Sequence, residues 1–212
     1  MGVISKLAVI QTNRKMREEP ISIKNKHRFT SYIGLNQSWW DYYTQYKITV
    51  DKIVSLIESG TPVDTVSLPL LFLTRHSIEL GLKANIFVFQ KINSIIPKIK
   101  LNGAKSHSIE FLHSKFEEHI NAILKEKKVT QKTRDEILSY LEKVEQLKDV
   151  IHRLDEVSFN FRYPVDTKEV PNFERKEVVQ IDEIIEVYYK IHSFILFTEN
   201  VLTVEGVFIP EL

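Results

Sequence analysis

Three charged residues stand four apart in an otherwise apolar segment: Arg75, Glu79 and Lys83. On a helix this spacing places all three side chains on one face, which we call the charged stripe. Burying ionic groups on an apolar helix costs free energy unless the groups are paired or open to a cleft. The stripe is therefore either a set of ordinary surface ion pairs or the floor of an anion-binding site, and the residues alone leave both open.

Histidines near the stripe could transfer protons. His76 follows Arg75 at about 100° around a helix, where a lone histidine is commonly a hydrogen-bonded boundary residue. His107 stands where the third helix is predicted to begin, and free backbone N–H groups at a helix start favour an anion. His107, His113 and His119 are six residues apart and cannot share a helix face, so we expect no metal site. Without HExxH or a glycine-rich phosphate loop, we expect no cofactor.

A third group of candidate residues follows the fourth predicted helix. Arg162 offers a planar fork for a phosphate, and Tyr163 offers a ring face and a hydroxyl group. These two side chains could bind a nucleotide. Alternatively, Phe161 and Tyr163 plug the end of a helical bundle while Arg162 pairs with Asp155 or Glu79. The residues favour neither alternative.

The elements that must position these residues are helices. Apolar residues spaced three and four apart predict five of them, near residues 38–59, 67–96, 106–127, 133–154 and 180–203. Ser38 is a suitable N-cap for the first, and Thr133 with Glu136 has the spacing of a capping box at the fourth. The second helix is apolar on most sides and should be central.

The fold predicted from these helices is all-α. Residues 155–177 contain no long apolar period and make a long loop before the last helix, which is unusual unless the loop has a role. Residues 1–35 carry seven basic and two acidic residues without sustained periodicity. We therefore predict a basic N-terminal arm over residues 1–35 and a single helical domain over residues 36–212.

Composition excludes several classes of protein. The chain has 212 residues, of which 43% are hydrophobic and 27% charged, as in globular proteins. It has no cysteine, which excludes disulfides and cysteine nucleophiles. No apolar run reaches the roughly 18 residues of a spanning helix, so we expect a cytoplasmic protein with no membrane partner. Residues 1–148 hold 23 basic and 15 acidic residues, whereas residues 149–212 hold 6 and 13. These segments are either ordinary solvated faces, which are common among soluble proteins, or surfaces that bind phosphate or a second copy by charge.

Three short motifs occur in order along the chain: Arg75-His76-Ser-Ile-Glu79-Leu-Gly-Leu-Lys83, Ser106-His107, and Asp155 with Ser158 and Phe161-Arg162-Tyr163-Pro164-Val165-Asp166. Together they resemble bacterial HEPN-like helical proteins over residues 38–203. HEPN domains are bundles of four or five helices that commonly dimerise. Many cleave RNA in toxin–antitoxin, abortive-infection and other anti-phage systems. The resemblance therefore implies a homodimer, an RNA or nucleotide ligand and an operon-encoded protein partner.

One departure from that family bears on catalysis. Ribonucleolytic HEPN proteins typically carry an arginine followed by a histidine after four to six intervening residues, and no pair here has that spacing. Either groups from separate helices cleave RNA without a metal, or the chain is a non-catalytic dimerisation or partner-binding module that uses the aromatic surface of its first helix. The resemblance leaves enzyme status open.

Site roles can be assigned on the catalytic hypothesis. Arg75 and Arg162 would hold phosphate, and His107 would transfer a proton. Glu79 and Asp155 would orient the arginines. The further residues expected to contact substrate are His76, Lys83, Ser158 and Tyr163.

Overall fold

Five α-helices lie within the residues described by a computed structural model of the chain. The structure describes residues 31, 37–93, 95–126, 129–156, 161–173 and 178–204, with the backbone alone for residues 143, 146–156, 197–199, 201, 202 and 204. The helices are α1 (Trp39–Glu58), α2 (Ser67–Ile92), α3 (Ile109–Glu126), α4 (Gln131–Glu156) and α5 (Ile181–Val204). Short 3-10 turns span Val63–Thr65 and Ala104–His107. The prediction of an all-α bundle of about five helices is confirmed.

Helix α2 is the centre of the bundle, as its apolar surround predicted. It packs against α1, α3, α4 and α5. Its polar residues are buried together with its apolar ones, so this helix carries ionic groups into the interior. Gly81 lies where α2 meets α1 and α5, because a Cβ atom there would stand 2.6 Å from Ile195 Cδ1 and 3.0 Å from Tyr43 Cε2.

Contacts between aromatic rings join α3 to α2 and to α5. Phe116 of α3 lies 5.3 Å from Phe89 of α2 and 5.0 Å from Phe194 of α5, measured between ring centroids. Such tilted and edge-on pairs contribute roughly 0.5–1.5 kcal/mol each beyond the apolar area that they bury. Five apolar residues spaced three and four apart along α3 are all buried: Ile109, Leu112, Phe116, Ile120 and Leu124.

The first helix starts as predicted. Ser38 caps α1 in a reciprocal capping box, in which the Asp41 backbone N–H donates to Ser38 Oγ at 3.0 Å. The Asp41 carboxylate accepts in return from the Ser38 backbone N–H at 3.0 Å.

Two helix starts differ from the prediction. α3 begins at Ile109 rather than near Ser106, because the Ser106 hydroxyl donates to the Leu101 carbonyl at 2.8 Å while Ser108 accepts from the Phe111 N–H at 3.2 Å. α4 begins at Gln131, and Thr130 accepts from the Thr133 N–H at 3.2 Å. Thr133 therefore lies inside the first turn instead of capping it.

The loop before α5 folds on itself over residues 161–173. Val165 and Pro171 form an isolated antiparallel bridge, and the Asp166 carboxylate accepts from the backbone N–H groups of Lys168 and Val170 at 2.8 and 2.9 Å. Glu169 adopts a left-handed backbone with φ of 63°. These contacts make a compact turn that begins beside the buried ring of Phe161.

Backbone contacts divide the chain into Met1–Leu35 and Asn36–Leu212, and the five helices belong to the second unit. The predicted basic arm, residues 1–35, lies outside the described residues apart from Ser31. No described helix is long and apolar enough to cross a membrane.

Candidate functional site

The site is centred on Glu79, a carboxylate on α2 that is 1% exposed. Its Oε1 accepts from Lys83 Nζ at 2.7 Å and from His107 Nδ1 at 3.1 Å. Its Oε2 accepts from Arg75 Nη1, and His76 Nδ1 lies 3.6 Å from the same atom. Four cationic or N–H groups thus converge on one carboxylate, which has about four lone-pair positions.

This environment fixes the charge of Glu79. Burial acts to raise the pKa of Glu79, but the interaction with His76, the hydrogen bond from Lys83 and the positive charges of Arg75 and Lys83 outweigh it and lower the pKa to about 2. The carboxylate is therefore ionised at neutral pH and can only accept hydrogen bonds.

An ionised Glu79 determines which ring nitrogen of His107 carries the proton. Because the carboxylate has no proton to give, Nδ1 of His107 must be the donor across the 3.1 Å contact. In the neutral imidazole, Nε2 then holds a free lone pair and can act as a base. The side chain of His107 is 64% exposed, so the imidazole is open to solvent and to a ligand.

His76 presents a second imidazole to the same carboxylate. Its side chain is 26% exposed, which places it at the boundary between core and solvent, as a lone histidine on a buried helix was expected to lie. Phe72 stacks on it with 5.8 Å between ring centroids and 5° between planes, and Tyr46 meets it edge-on at 4.6 Å. The ring is therefore held on several sides with its Nδ1 towards Glu79.

Arg75 and Lys83 support this arrangement from the interior. Arg75 is 7% exposed, and its Nη2 donates to the backbone carbonyl of His107, so it joins α2 to the turn that carries this histidine. Lys83 is 2% exposed and its Nζ lies 5.4 Å from the centroid of the Trp39 ring. The charged stripe is thus an interior network around Glu79, and the alternative of surface ion pairs is wrong.

The second arginine, Arg162, lies on the exposed side of the site. Its guanidinium carbon is 5.6 Å from the centroid of the Phe72 ring and 5.7 Å from that of Tyr163. Because Phe72 also stacks on His76, Arg162 is one aromatic ring away from this imidazole. Phe72 thus links the loop that follows α4 to His76.

The structure distinguishes the two roles considered for the aromatic loop residues. Phe161 is 7% exposed and packs with Leu71, so it does plug the bundle. Tyr163 is 49% exposed and does not. The Glu79 carboxylate is held by Arg75, Lys83 and His107, while the predicted pairing of Arg162 with Asp155 lies outside the described residues.

Two predicted site residues cannot be placed. The backbone of Asp155 lies in the last turn of α4, but its side chain is outside the described residues, and so is all of Ser158. In contrast, the structure brings together Arg75, His76, Glu79, Lys83 and His107. Arg162 lies against Phe72, which stacks on His76, and the Tyr163 ring lies against Arg162.

His107 is positioned differently from the prediction. It ends the 3-10 turn Ala104–His107, so it is not in the first turn of α3 and does not benefit from the free N–H groups of that helix. Its chemistry comes from Glu79, which lies 28 residues earlier in the sequence.

Sequence reasoning missed three aromatic members of the site, Phe72, Tyr46 and Trp39. The spacing of Phe72 from His76 was a usable signal, because residues four apart on a helix are neighbours. The contacts of Tyr46 and Trp39 depend on how α1 crosses α2, and no local pattern reveals this.

The described residues hold no cluster of three or more histidine and acidic side chains that could bind a metal ion. Glu79 is already occupied by two cationic side chains, which compete directly with a cation for its oxygens.

Comparisons with known proteins identify no relative of this chain: no family model, no curated protein and no solved structure matches it.

Proposed function

We propose that the chain is an RNA-binding, metal-independent ribonuclease in which His107 and His76 transfer protons. The observation that carries this proposal is the placement of two imidazoles on one ionised, buried carboxylate, that of His107 exposed and that of His76 at the boundary of the core, with Nδ1 of each towards Glu79. Carboxylate-held imidazoles are well suited to general acid–base catalysis, because the free Nε2 keeps a defined orientation.

The proposed reaction is transfer of the phosphodiester to the neighbouring 2′-oxygen of the ribose. Nε2 of His107 takes the proton of the 2′-hydroxyl, and the oxygen attacks phosphorus. The bond from phosphorus to the 5′-oxygen breaks as protonated His76 gives its Nε2 proton to that oxygen. The products are a 2′,3′-cyclic phosphate and a free 5′-hydroxyl, so the reaction requires RNA and consumes no water in this step.

The arginines divide into two roles in this mechanism. Arg162 is exposed and lies one ring from His76, so its guanidinium is placed to bind a phosphate of the strand. Arg75 is a positioning residue, since it is buried and holds both Glu79 and the backbone of His107. Lys83 likewise acts through Glu79.

A HEPN-like domain of a bacterial defence or toxin–antitoxin system is the setting that we propose for this activity. The support is the order of the three motifs on a five-helix bundle and the convergence of two of them on Glu79. A cytoplasmic homodimer with an operon-encoded partner that restrains cleavage belongs to the same proposal.

A second candidate function is a non-catalytic interaction module. The observation that favours it is the outer side of α1, where Tyr42, Ile48 and Leu56 are each about half exposed. Trp39 and Trp40 are less suited to binding a partner, because both are half-buried against the core. Dimerisation lost in an Ile48→Glu variant, with no RNA cleavage by any variant, would support this alternative.

The test of the ribonuclease is cleavage of labelled total RNA and tRNA in EDTA. We expect His107→Gln and His76→Gln each to slow cleavage by about 10²–10⁴-fold, the usual contribution of a general acid or base.

Lys132→Ala serves as the control, since this α4 side chain is 85% exposed. It should cleave at the native rate. The proposal fails if cleavage requires a divalent metal ion, or if the doubly substituted His76→Gln/His107→Gln protein still cleaves at the native rate while its thermal unfolding matches that of the native chain.

A further inference from the structure

A pocket of about 280 Å³ opens at the start of α2 and holds none of the residues discussed as catalytic. Leu68, Leu71 and Phe173 form its apolar wall, and Asp64 and Ser67 supply polar groups. This volume lies just below the roughly 300–1,000 Å³ of pockets for drug-sized ligands. The pocket therefore suits a small planar group such as a single nucleobase.

Side chains on one face of α2 lead from this pocket to His76. Leu68, Phe72 and His76 are four residues apart and so lie along one face of the helix. With a rise of about 1.5 Å per residue, Leu68 and His76 are about 12 Å apart along the helix axis. Phe72, between them, contacts both His76 and the guanidinium of Arg162. A short stretch of a single strand can span this distance.

Phe173 gives the pocket an aromatic wall. One face of its ring stacks on Phe161, with 6.1 Å between centroids and 13° between planes, so the ring is held in place. A base that lies against such a ring gains stacking energy whatever its identity. The ring therefore provides affinity, and selectivity must come from the polar groups.

Asp64 supplies that selectivity. A carboxylate accepts hydrogen bonds only, and guanine is the base that presents two adjacent N–H donors, on N1 and on the 2-amino group, to one carboxylate. Adenine, cytosine and uracil offer no such pair. We propose that this pocket binds a guanine base, with the base against Phe173 and its N1–H and 2-amino group donating to Asp64.

The guanine could belong to an RNA strand or to a free guanine nucleotide. The line of side chains towards His76 favours the strand, and this assignment rests on the proposed ribonuclease function. A base in the pocket would then set the position of cleavage a few nucleotides away. The guanine would have to come from single-stranded RNA, because the N1–H of a paired guanine already donates to the opposite base.

The experiment measures equilibrium binding by calorimetry in EDTA, with no dependence on cleavage. The ligands are guanosine 5′-monophosphate, adenosine 5′-monophosphate, and two 2′-O-methyl hexanucleotides that cannot be cleaved and differ by one guanine-to-adenine exchange. We expect the guanine hexamer to bind about tenfold more tightly than the adenine hexamer, within the usual range for a two-bond contact with a base.

Variants test the assigned residues. Asp64→Asn and Leu68→Trp should each abolish the preference for guanine, the first by removing an acceptor and the second by filling the pocket. Both positions are exposed, so the variants should fold. Asp135→Asn, on the exposed side of α4, removes the same charge elsewhere and should keep the preference.

Equal affinity for the two hexamers, or a preference that survives in Asp64→Asn, would overturn the proposal. Tight binding of the monophosphate without a gain from the hexamer would keep the guanine pocket and assign it to a free nucleotide. If the proposed ribonuclease function is wrong, RNA stays uncleaved while the preference for the guanine hexamer is intact. The two proposals can therefore fail independently.

Discussion

Glu79 shows how a single buried charge can organise a site at the scale of the residue. An isolated carboxylate that is 1% exposed would become neutral, yet two cationic side chains and two imidazoles keep this one ionised. Its charge in turn sets the orientation of both histidines. The cost of burying these charges is compensated only while every partner is present.

We therefore expect Glu79→Gln to be strongly destabilising. The variant leaves Arg75 and Lys83 buried beside a neutral amide, and breaking a buried pair in this way costs about 3–5 kcal/mol. Urea unfolding followed by circular dichroism at pH 7 measures the loss. Glu136→Gln is the matched control, because its 3.9 Å contact with Lys132 is at the surface and is worth about 0–1 kcal/mol.

The pH dependence of this effect has a defined sign. The pKa of Glu79 is lowered from 4.5 to about 2 in the folded chain, so its contribution to stability is present above about pH 4.5 and is lost as the pH falls towards 2. The free energy of unfolding of the Glu79→Gln variant should fall less over this window. A parallel fall in both proteins would contradict the assigned role.

At the scale of the element, α2 carries most of what the site needs. Its register puts Arg75, Glu79 and Lys83 on one face, and this was visible in the spacing of the charges. The burial of that face was not visible, because it depends on α1 and on the turn Ala104–His107, which meet α2 from distant parts of the sequence. Local patterns therefore predicted the helices and the candidate residues, but not the contacts among them.

Close packing at Gly81 makes α2 sensitive to a single added side chain. A Cβ atom there would stand 2.6 Å from Ile195 Cδ1, and the branched side chain of valine would reach further into α1 and α5. We expect Gly81→Val to lower the free energy of unfolding by about 1–3 kcal/mol, the usual cost of overpacking. Thermal or urea unfolding measures it.

Gly103→Ala provides the comparison for that variant. The nearest atom to a Cβ at Gly103 is the Lys100 carbonyl oxygen at 3.5 Å, an ordinary contact, and its φ of −80° suits alanine. This variant should be as stable as the native chain or slightly more stable. Equal destabilisation by both substitutions would show that the space at Gly81 is not the cause.

At the scale of the whole molecule, the bundle encloses a histidine, His119, with no hydrogen-bond partner among the described residues. His119 of α3 is fully buried, and neither ring nitrogen is bonded among the described residues. Burial lowers the pKa of His119 below its ordinary value of 6.5, because the charged ring is poorly solvated there. The interior therefore favours the neutral form of His119. The free energy of unfolding should decrease at acidic pH.

We expect stability to fall as the pH drops below about 6.5, since the unfolded chain then binds a proton that the folded chain resists. A His119→Leu variant should lose less free energy of unfolding between pH 7 and pH 5, as measured by urea unfolding at each pH. The loss of free energy of unfolding that remains in this variant should include a contribution from His192, whose pKa is also lowered by burial. An unchanged pH profile in His119→Leu would contradict this account.

The placement of both tryptophans has a spectroscopic consequence. The chain has two tryptophans, Trp39 and Trp40, in the first turn of α1, where one ring faces the ammonium group of Lys83 and the other meets Tyr43 edge-on at 5.5 Å. Intrinsic tryptophan emission therefore reports on the start of α1 alone, whereas far-ultraviolet circular dichroism averages over every helix of the chain. Together the two signals can separate detachment of α1 from α2 from melting of the remaining bundle, without any added label.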